Sequence, residues 1–260
     1  MTPHVVHVAQ TGSTNADLIA LAQTGAAEGV WLRADRQTGG RGRLGRAWAS
    51  PVGNLYASTV VRVRAADPAA ATLALVAAVA LEEVVSVYLC SGAGRSPESQ
   101  RDAHVTQGSG LRRSAGISVK WPNDLLVKGA KLSGILLERA SDAVVVGFGV
   151  NLAAHPDLSD RPTTSLSAHG VDVAPAAFLD TLADAFARWL SRWRGEGLGP
   201  IRTRWIEVAH PVGTALSARQ PDGTVIEGLF DGLDRDGALM LRLADGSRHV
   251  MHAGDVFLLE

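Results

Sequence analysis

The sequence contains a single cysteine, Cys90, among its 260 residues. One cysteine can form no internal disulfide bond and no cysteine-rich zinc site, which fits a reducing cytoplasm and excludes a disulfide-stapled secreted fold. An excess of charge is also lacking, because 25 Lys and Arg residues face 26 Asp and Glu residues, for a net charge of −1. The chain as a whole therefore has no general attraction to nucleic acid or to a membrane surface, and any electrostatic function must be local.

Long hydrophobic runs are missing as well. The longest, residues 69–81, is interrupted by Thr72 and followed by Glu82 and Glu83, which leaves it short of the roughly 20 apolar residues that span a bilayer. Residues 1–10 lack a basic segment followed by an apolar stretch, so no signal peptide is predicted. We therefore expect a cytoplasmic protein that does not cross a membrane.

Hydrophobic patterning predicts an α+β domain over residues 1–208, with a mixed or antiparallel sheet flanked by helices. The predicted helices cover residues 16–23, 67–89 and 175–194. The predicted strands cover residues 29–35, 54–64, 117–121, 132–139 and 143–152. Because the last three strands follow one another with no helix between them, they are expected to form a meander rather than β-α-β units.

Two further segments differ in composition from this domain. Residues 91–116 are almost free of large apolar side chains, which predicts a mobile insertion that does not contact ligand. Residues 209–260 contain short β-rich stretches separated by turn sequences around Gly223, Gly237 and Gly246. That spacing predicts a small, partly open β-barrel as a C-terminal domain.

The strongest local signal is the sequence GRGRLGR at residues 40–46, followed by Ala47 and Trp48. Guanidinium groups pair bidentately with phosphate or carboxylate, so three arginines among glycines predict an anion-binding loop. A dinucleotide-binding fingerprint would have to lead into a helix, which Pro51 and Gly53 oppose, and no phosphate-binding loop of the GxxxxGK[ST] type occurs in the chain. The alternative is a solvated basic loop, or one that contacts nucleic acid nonspecifically.

Three other short motifs contain polar side chains, or glycines that leave space beside the backbone. The sequence KWPND at residues 120–124 is expected to end a strand, and KLSG at residues 131–134 is expected to begin its hairpin partner. Such a hairpin suits a site where a polar ligand meets the sheet, and its carboxylate could hold Mg²⁺ beside phosphates; the alternative is an exposed salt-bridged hairpin. The glycines of GFGVN at residues 147–151 leave room for a flat group or for a closely packed helix.

Taken together, these motifs resemble biotin protein ligases, the biotin–[acetyl-CoA-carboxylase] ligases, in a short form without an N-terminal DNA-binding domain. The pieces occur in the family's order, and they are GSTN at 12–15, QTGGRGRLGRAW at 37–48, KWPND at 120–124, KLSGILLE at 131–138 and GFGVN at 147–151. The resemblance implies a catalytic domain with the class II aminoacyl-tRNA synthetase-like fold and a small C-terminal SH3-like β-barrel. It leaves no room before residue 11 for a helix-turn-helix domain, so specific DNA binding is not expected.

The resemblance also implies a reaction and the residues that serve it. Biotin and ATP, with Mg²⁺, would form biotinyl-5′-AMP and pyrophosphate, and a lysine of a biotin carboxyl carrier protein of acetyl-CoA carboxylase would then take the biotinyl group. The residues implied to bind biotin are Ser13, Thr14, Asn15, Gln37, Gly40, Arg41, Gly42, Arg43, Lys131 and Gly134. Those implied to bind ATP or the adenylate are Arg41, Arg43, Arg46, Trp48, Lys120, Asn123, Asp124, Lys131 and Asn151.

The resemblance assigns catalysis to Arg43, Lys131 and Asp124. Arg43 and Lys131 would neutralise the two anions as they meet, and Asp124 would act either as a metal ligand or as a base for the incoming lysine. A homodimer through the central sheet is compatible with the family. Two competing functions are a lipoate or octanoate ligase of the same fold, and a nonenzymatic nucleotide- or RNA-binding module. The second is disfavoured because residues 210–260 offer only Phe230 and Phe257 for base stacking.

Overall fold

A computed structural model of the protein describes residues 4–91 and 116–259. Within these ranges the chain forms four α-helices, which are α1 Thr14–Gln23, α2 Leu73–Ser91, α3 Pro175–Glu196 and α4 Gly199–Val208. The first seven strands are β1 His4–Thr11, β2 Val30–Gln37, β3 Leu55–Arg62, β4 Ile117–Lys120, β5 Asp124–Val127, β6 Ala130–Ala140 and β7 Ala143–Val150. The remaining strands are β8 Ala215–Arg219, β9 Val225–Leu233, β10 Leu239–Arg242, β11 Arg248–Met251 and β12 Asp255–Leu258.

The first seven strands form one mixed sheet in the order β1-β2-β3-β7-β6-β5-β4. Strand β1 pairs with β2 in parallel, and every other neighbouring pair is antiparallel. One face of this sheet packs against α2 and α3 and holds the main hydrophobic core, which includes Phe148, Phe178 and Trp193. The predicted meander is confirmed by the run of antiparallel pairs β4-β5-β6-β7.

Helix α1 covers only part of the opposite face of the sheet. It begins where Ser13 accepts a hydrogen bond from the amide of Ala16, as expected for a serine N-cap. Its apolar side buries Leu18 and Ala22 against Leu32 and Val145. The rest of this face, toward β5 and β6, is left uncovered by α1, and the cleft described below lies there.

Helix α2 is the most apolar helix of the described residues. With the turn before it, the helical segment Ala70–Cys90 could cross a membrane by length and composition alone, so the apolar helix is longer than the sequence run suggested. Most of the segment is buried in the protein, because it packs against α3, α4 and the sheet. A core helix of a soluble domain meets the same criteria of length and composition.

The last five strands form a second sheet, antiparallel throughout, in the order β11-β10-β9-β8-β12. All three predicted turns are confirmed, since Gly223, Gly237 and Gly246 each have positive φ and follow an Asp-containing turn. The sheet contacts the first part of the chain through Trp121, whose indole N–H donates to the carbonyl of Gly237 at 3.3 Å. Its last strand, β12, reaches the cleft.

Several sequence predictions need correction. The strand that ends at Lys120 does not pair with the strand that begins near Lys131, because β5 lies between them and pairs with both. Strand β1 and helix α4 were not predicted, and α2 begins at Leu73 rather than residue 67. The predicted insertion at residues 91–116 lies, apart from its first and last residues, outside the described residues.

Candidate active site

Three glycines open the uncovered face of the sheet. In the strand register, Gly149 of β7 lies opposite Gly134 of β6, and Gly134 lies opposite Asp124 of β5. Directly opposed residues of antiparallel strands point to the same face, as do residues two apart on one strand, so Gly147 joins this set. The missing side chains leave a depression that runs across the strands toward Asp124.

The indole of Trp48 fills part of this depression. A Cβ atom added to Gly149 would lie 2.6 Å from Trp48 Cε2, and one added to Gly134 would lie 3.1 Å from Trp48 Cζ3. Lys131 Nζ lies 5.6 Å from the centre of the Trp48 ring, within the range of a cation–π contact. The sequence predicts a flat group over these glycines. At Gly149 this group is Trp48, which belongs to the glycine- and arginine-rich segment of residues 40–48, called the arginine loop below.

Gly147 is filled by a different group, which comes from the start of α1. A Cβ atom there would overlap Asn15 Oδ1, so only glycine lets the amide of Asn15 approach the strand. The two interpretations of the GFGVN motif therefore each hold at one glycine: a helix packs closely at Gly147, and an aromatic plane lies over Gly149.

An uncharged polar cluster forms the end of the cleft nearest β2 and α1. The amide of Thr14 donates to Gln37 Oε1 at 2.8 Å, and the hydroxyls of Thr14 and Ser58 lie 2.7 Å apart. Ser58 also donates to Asn15 Oδ1 at 2.6 Å. Short polar side chains held in this way can bind a neutral ligand with several donors and acceptors.

A buried charged cluster forms the other end of the cleft, on β5 and β6. Asp124 is 6% exposed, and its two oxygens lie 2.6 Å from Lys131 Nζ and 3.3 Å from Lys120 Nζ. Burial by itself raises the pKa of Asp124, but the two lysines outweigh it and hold the pKa below its ordinary value. Burial lowers the pKa of Lys131, and the charge of Asp124 limits that drop.

The arginine loop lies between the charged cluster and the second sheet. Arg43 Nη1 donates to the carbonyl of Gly254 at 3.1 Å and reaches Asn123 Oδ1 at 3.5 Å. Both Arg43 and Arg46 pair with Asp255, the first residue of β12. Burial lowers the pKa of Arg43 from its ordinary value, and Asp255 partly opposes this shift. The loop is therefore anchored by the C-terminal sheet as well as by its own hydrogen bonds.

These features line one cleft of about 490 Å³, a size typical of small-molecule sites. The residues singled out from the sequence that line it are Ser13, Thr14, Asn15, Gln37, Arg41, Gly42, Arg43, Arg46, Trp48, Lys120, Asn123, Asp124, Lys131, Gly134 and Asn151. Gly40 does not line it, because a Cβ atom there would meet Ser50 Oγ and Trp48 O at 2.9 Å and the glycine serves the loop's packing. Asn151 lines the cleft, but its amide nitrogen donates to the carbonyl of Thr164 at 3.0 Å.

The lining carries a surplus of positive charge although the whole chain is near neutral. Its cations are Lys120, Lys131, Arg41, Arg43, Arg46 and Arg161, and its carboxylates are Asp124, Asp160 and Asp255. The cleft is therefore the positively charged region in which the sequence predicts a local electrostatic function. Among the residues that the structure describes, no group of three His, Cys, Asp or Glu side chains could hold a metal ion.

Part of the cleft lining was not predicted from the sequence. Arg161 lies in a loop after β7 whose composition matches any surface turn, so nothing in the sequence marked it. Phe257 and Asp255 of β12 also line the cleft, and the side chains of Lys120 and Arg219 lie 6.0 and 5.9 Å from the Phe257 ring centre. The sequence GDV at residues 254–256 weakly resembles the end of the C-terminal barrel in biotin protein ligases, and this was the one available signal.

Comparisons with known proteins agree with this geometry. Residues 9–151 match the biotin/lipoate A/B protein ligase family, and residues 217–259 match the biotin protein ligase C-terminal domain. The chain is 38% identical to the biotin–[acetyl-CoA-carboxylase] ligase of Paracoccus denitrificans, over 96% of this chain and 98% of that protein. It is 34% identical to the ligase of the same name from Mycobacterium tuberculosis, over 96% and 86%. A solved biotin protein ligase from Aquifex aeolicus, in complex with biotin and ATP, shares its fold with a TM-score of 0.78 at 22% identity, covering 98% of this chain and 99% of that one.

Proposed function

The chain belongs to the biotin/lipoate A/B protein ligase family, and from that premise we propose that it is an ATP-dependent biotin protein ligase acting in the cytoplasm. The observation that carries the choice within the family is the neutral polar end of the cleft, formed around Thr14 and Gln37. The ureido group of biotin has two N–H donors and one carbonyl acceptor, which such a cluster can satisfy. The dithiolane ring of lipoate and the chain end of octanoate have neither, and would leave these groups unpaired at a large cost in binding.

The arrangement of strands suits a ligand that combines a neutral head with an anionic middle. Gln37 lies on β2 and Asp124 on β5, four strands apart in the sheet order, which at about 4.8 Å per strand spans roughly 19 Å. We propose that the biotin head group lies at the β2 end, over the N-terminus of α1. Its carboxylate then points toward Lys131 and Arg43, where the ATP α-phosphate meets it.

In the first step an oxygen of the biotin carboxylate bonds to the α-phosphorus, and the bond from that phosphorus to the pyrophosphate oxygen breaks. Two anions must approach each other, so their repulsion opposes the step unless cations lie beside them. Lys131 and Arg43 supply that charge in a partly buried site, where fixed charges act more strongly than in water. Trp48 would lie against the purine, and Lys120, Arg41 and Arg46 would hold phosphate oxygens.

In the second step the amine of an acceptor lysine bonds to the carbonyl carbon of biotinyl-5′-AMP. The bond from that carbon to the phosphate oxygen breaks, AMP leaves with the electron pair of that bond, and the proton lost by the amine passes to solvent water. We propose that the acceptor is the biotin carboxyl carrier protein of acetyl-CoA carboxylase. In support, the relatives from Paracoccus denitrificans and Mycobacterium tuberculosis are named as ligases of acetyl-CoA carboxylase.

For Asp124 we propose the role of a fixed counter-ion. A carboxylate whose pKa is lowered is a weak base, and both of its oxygens already face lysines. Both oxygens already have a cationic partner, so Mg²⁺ enters in this proposal with ATP, as part of the MgATP substrate. Asp124 keeps Lys120 and Lys131 on the site face of the sheet.

Pyrophosphate release tests the proposed reaction. The purified protein with MgATP should release pyrophosphate on addition of biotin, at least a hundredfold faster than with lipoate or octanoate, since a site built for hydrogen bonds strongly rejects ligands that lack them. Mass spectrometry should find biotinyl-5′-AMP retained on the protein. Release with lipoate or octanoate would assign the sister activity, and no release with any acid would exclude a ligase.

Gly149→Ala tests the placement of the nucleotide. The added methyl group would overlap the indole of Trp48, which lies 2.6 Å from the new Cβ position. Because loss of an aromatic contact costs about 1 kcal/mol, we expect the KM for ATP to rise roughly five- to tenfold, with a smaller change for biotin. Gly195→Ala in α3, where a Cβ meets nothing within 4 Å, is the matched control. An unchanged KM for ATP would argue against a purine beside Trp48.

A further inference from the structure

Glu138 lies on the site face of β6, two residues beyond Leu136, but it does not line the cleft. Its Oε2 accepts a hydrogen bond of 2.7 Å from the amide nitrogen of Asn15. The same nitrogen reaches the carbonyl of Leu136 at 3.4 Å. Asn15 is 4% exposed, so its amide has little access to water and its partners decide which way it faces.

The position of each hydrogen in this cluster follows from Glu138. A carboxylate and a backbone carbonyl can only accept, so the NH₂ group of Asn15 must face β6 and its oxygen must face Ser58. Ser58 therefore donates its one hydroxyl hydrogen to Asn15 Oδ1. Its oxygen is then left to accept from Thr14, whose hydroxyl lies 2.7 Å away.

These hydrogen positions also determine which atoms in the lining of the cleft can donate to a ligand and which can accept from it. Thr14 Oγ1 also lies 3.2 Å from Gln37 Oε1, but a hydrogen turned toward Gln37 would leave the oxygens of Thr14 and Ser58 2.7 Å apart with no hydrogen between them. Thr14 therefore gives its hydroxyl hydrogen to Ser58, and its lone pairs can only accept from a ligand. Gln37 Oε1 is held by the backbone N–H of Thr14, so the free part of the Gln37 amide is its NH₂ group, which can only donate. A cleft end with one fixed acceptor and one fixed donor matches the N–H and the carbonyl of a cyclic urea.

We propose that Glu138 is a positioning residue that sets this donor and acceptor pattern through Asn15 and Ser58 without touching the substrate. The proposal rests on the proposed function, since it concerns recognition of the biotin head group. With no carboxylate at residue 138, only the long contact of 3.4 Å to the carbonyl of Leu136 still favours this orientation, and the amide of Asn15 can turn over. Ser58 and Thr14 would then reverse their hydrogens, and the pattern would no longer be fixed before biotin binds.

The test is a double-mutant cycle on the full-length protein, with biotin affinity measured by calorimetry. Glu138→Leu keeps the side-chain bulk but removes the acceptor, and Ser58→Ala interrupts the relay one step later. Loss of one hydrogen-bond constraint corresponds to about a tenfold increase in Kd for biotin, which we expect for each single variant. We expect the double variant to be no weaker than the weaker single one, because residues acting in series are not additive.

Two further measurements separate positioning from a purely structural role. An analogue of biotin without the ureido ring, tetrahydrothiophene valerate, should bind the variants and the wild type equally, and the KM for ATP should not change. Glu227→Gln, at an exposed glutamate of β9, is the control for a change of charge. Should Glu138→Leu fail to fold, the exchange of Asn15→Asp together with Glu138→Gln keeps both side-chain shapes and takes its place.

The exchange variant has a definite expected result. The amide of the new glutamine donates to the new aspartate, whose other oxygen still accepts from Ser58, so biotin affinity should recover to within about threefold of the wild type. Asn15→Asp alone sets two carboxylates side by side and should bind biotin at least roughly tenfold more weakly. Additive effects in the cycle, equal losses for the analogue, or no recovery on exchange would each overturn the proposal. Failure of the wild type itself to bind biotin would instead overturn the proposed function.

Discussion

Lys131→Met should reduce the rate of biotin-dependent pyrophosphate release by about two to three orders of magnitude, as found for removal of a single group that stabilises developing charge. The ammonium group of Lys131 lies 2.6 Å from Asp124, and its side chain is 17% exposed, at the edge of the glycine depression beneath Trp48. In the proposed geometry it lies where the carboxylate and the α-phosphate approach each other. Methionine keeps most of the side-chain length but removes the charge. The measurement is single-turnover pyrophosphate release at saturating biotin and MgATP.

Loss of Lys131 also leaves the buried carboxylate of Asp124 with one partner, which destabilises the fold. The double variant Lys131→Met with Asp124→Asn removes that stranded charge, so it should recover thermal stability without recovering the rate. Lys128→Met is the matched control, because this exposed lysine lies three residues away and does not line the cleft. A Lys131→Met enzyme with full single-turnover rate would show that the charge is not needed for the chemistry. Recovery of the rate in the double variant would show that the defect lay in folding.

Strong periodicity made most of the catalytic domain predictable. The helical spacing of α3 and the β-rich stretches of β3 and β7 follow from local sequence, and the structure confirms these elements. Short elements were harder. Strand β5 has four residues and begins at Asp124, close after β4 ends at Lys120. The sequence of the two strands therefore predicts a single strand followed by a loop. Their correct pairing depends on long-range register, which periodicity does not contain.

The site was predicted better in composition than in arrangement. Glycines and cations marked the loop at residues 40–46 and the two lysine motifs, but no pattern showed what fills each glycine. The sequence could not show that Asn15 lies over Gly147, or that Trp48 lies over Gly149, because both contacts join segments about 100 residues or more apart. Roles carried over from the family also treated Asn15 as a direct biotin contact. In the structure Asn15 lines the cleft, and both ends of its amide are hydrogen-bonded within the protein, to Glu138 and Ser58; the direct contact with biotin stays a prediction.

The C-terminal sheet is the feature that sequence reasoning connected least to the site. Its strand β12 brings Asp255 to Arg43 and Arg46, and the carbonyl of Val256 accepts from Lys120 Nζ at 3.1 Å. These contacts link residues more than 130 positions apart, so only the fold shows them. The small domain therefore contributes directly to the electrostatics of the cleft, because its carboxylate is the resting partner of the arginines that would meet the phosphate.

Arg43→Ala should leave biotin affinity within a few-fold of the wild type but accelerate loss of biotinyl-5′-AMP from the enzyme. The side chain of Arg43 is 26% exposed, and its guanidinium group lies between Asn123 and Asp255. An adenylate phosphate would compete with these two residues for the guanidinium group. A hydrogen bond to a charged group is worth about 1.5–3 kcal/mol, so the adenylate should leave roughly ten- to hundredfold faster. Its formation should slow as well, since one of the two cations that offset the repulsion is gone.

The measurement is the rate at which isotopically labelled biotinyl-5′-AMP, formed on the enzyme, exchanges into excess unlabelled adenylate. Arg235→Ala is the matched control, because the side chain of Arg235 is 92% exposed in the turn between β9 and β10. Asp255→Asn provides a second comparison: it removes the resting partner but keeps Arg43, so retention should be equal to or longer than in the wild type. If Arg43→Ala retained the intermediate as long as the wild type does, the phosphate would have to be held by other residues, and the arginine loop would serve biotin or the acceptor instead.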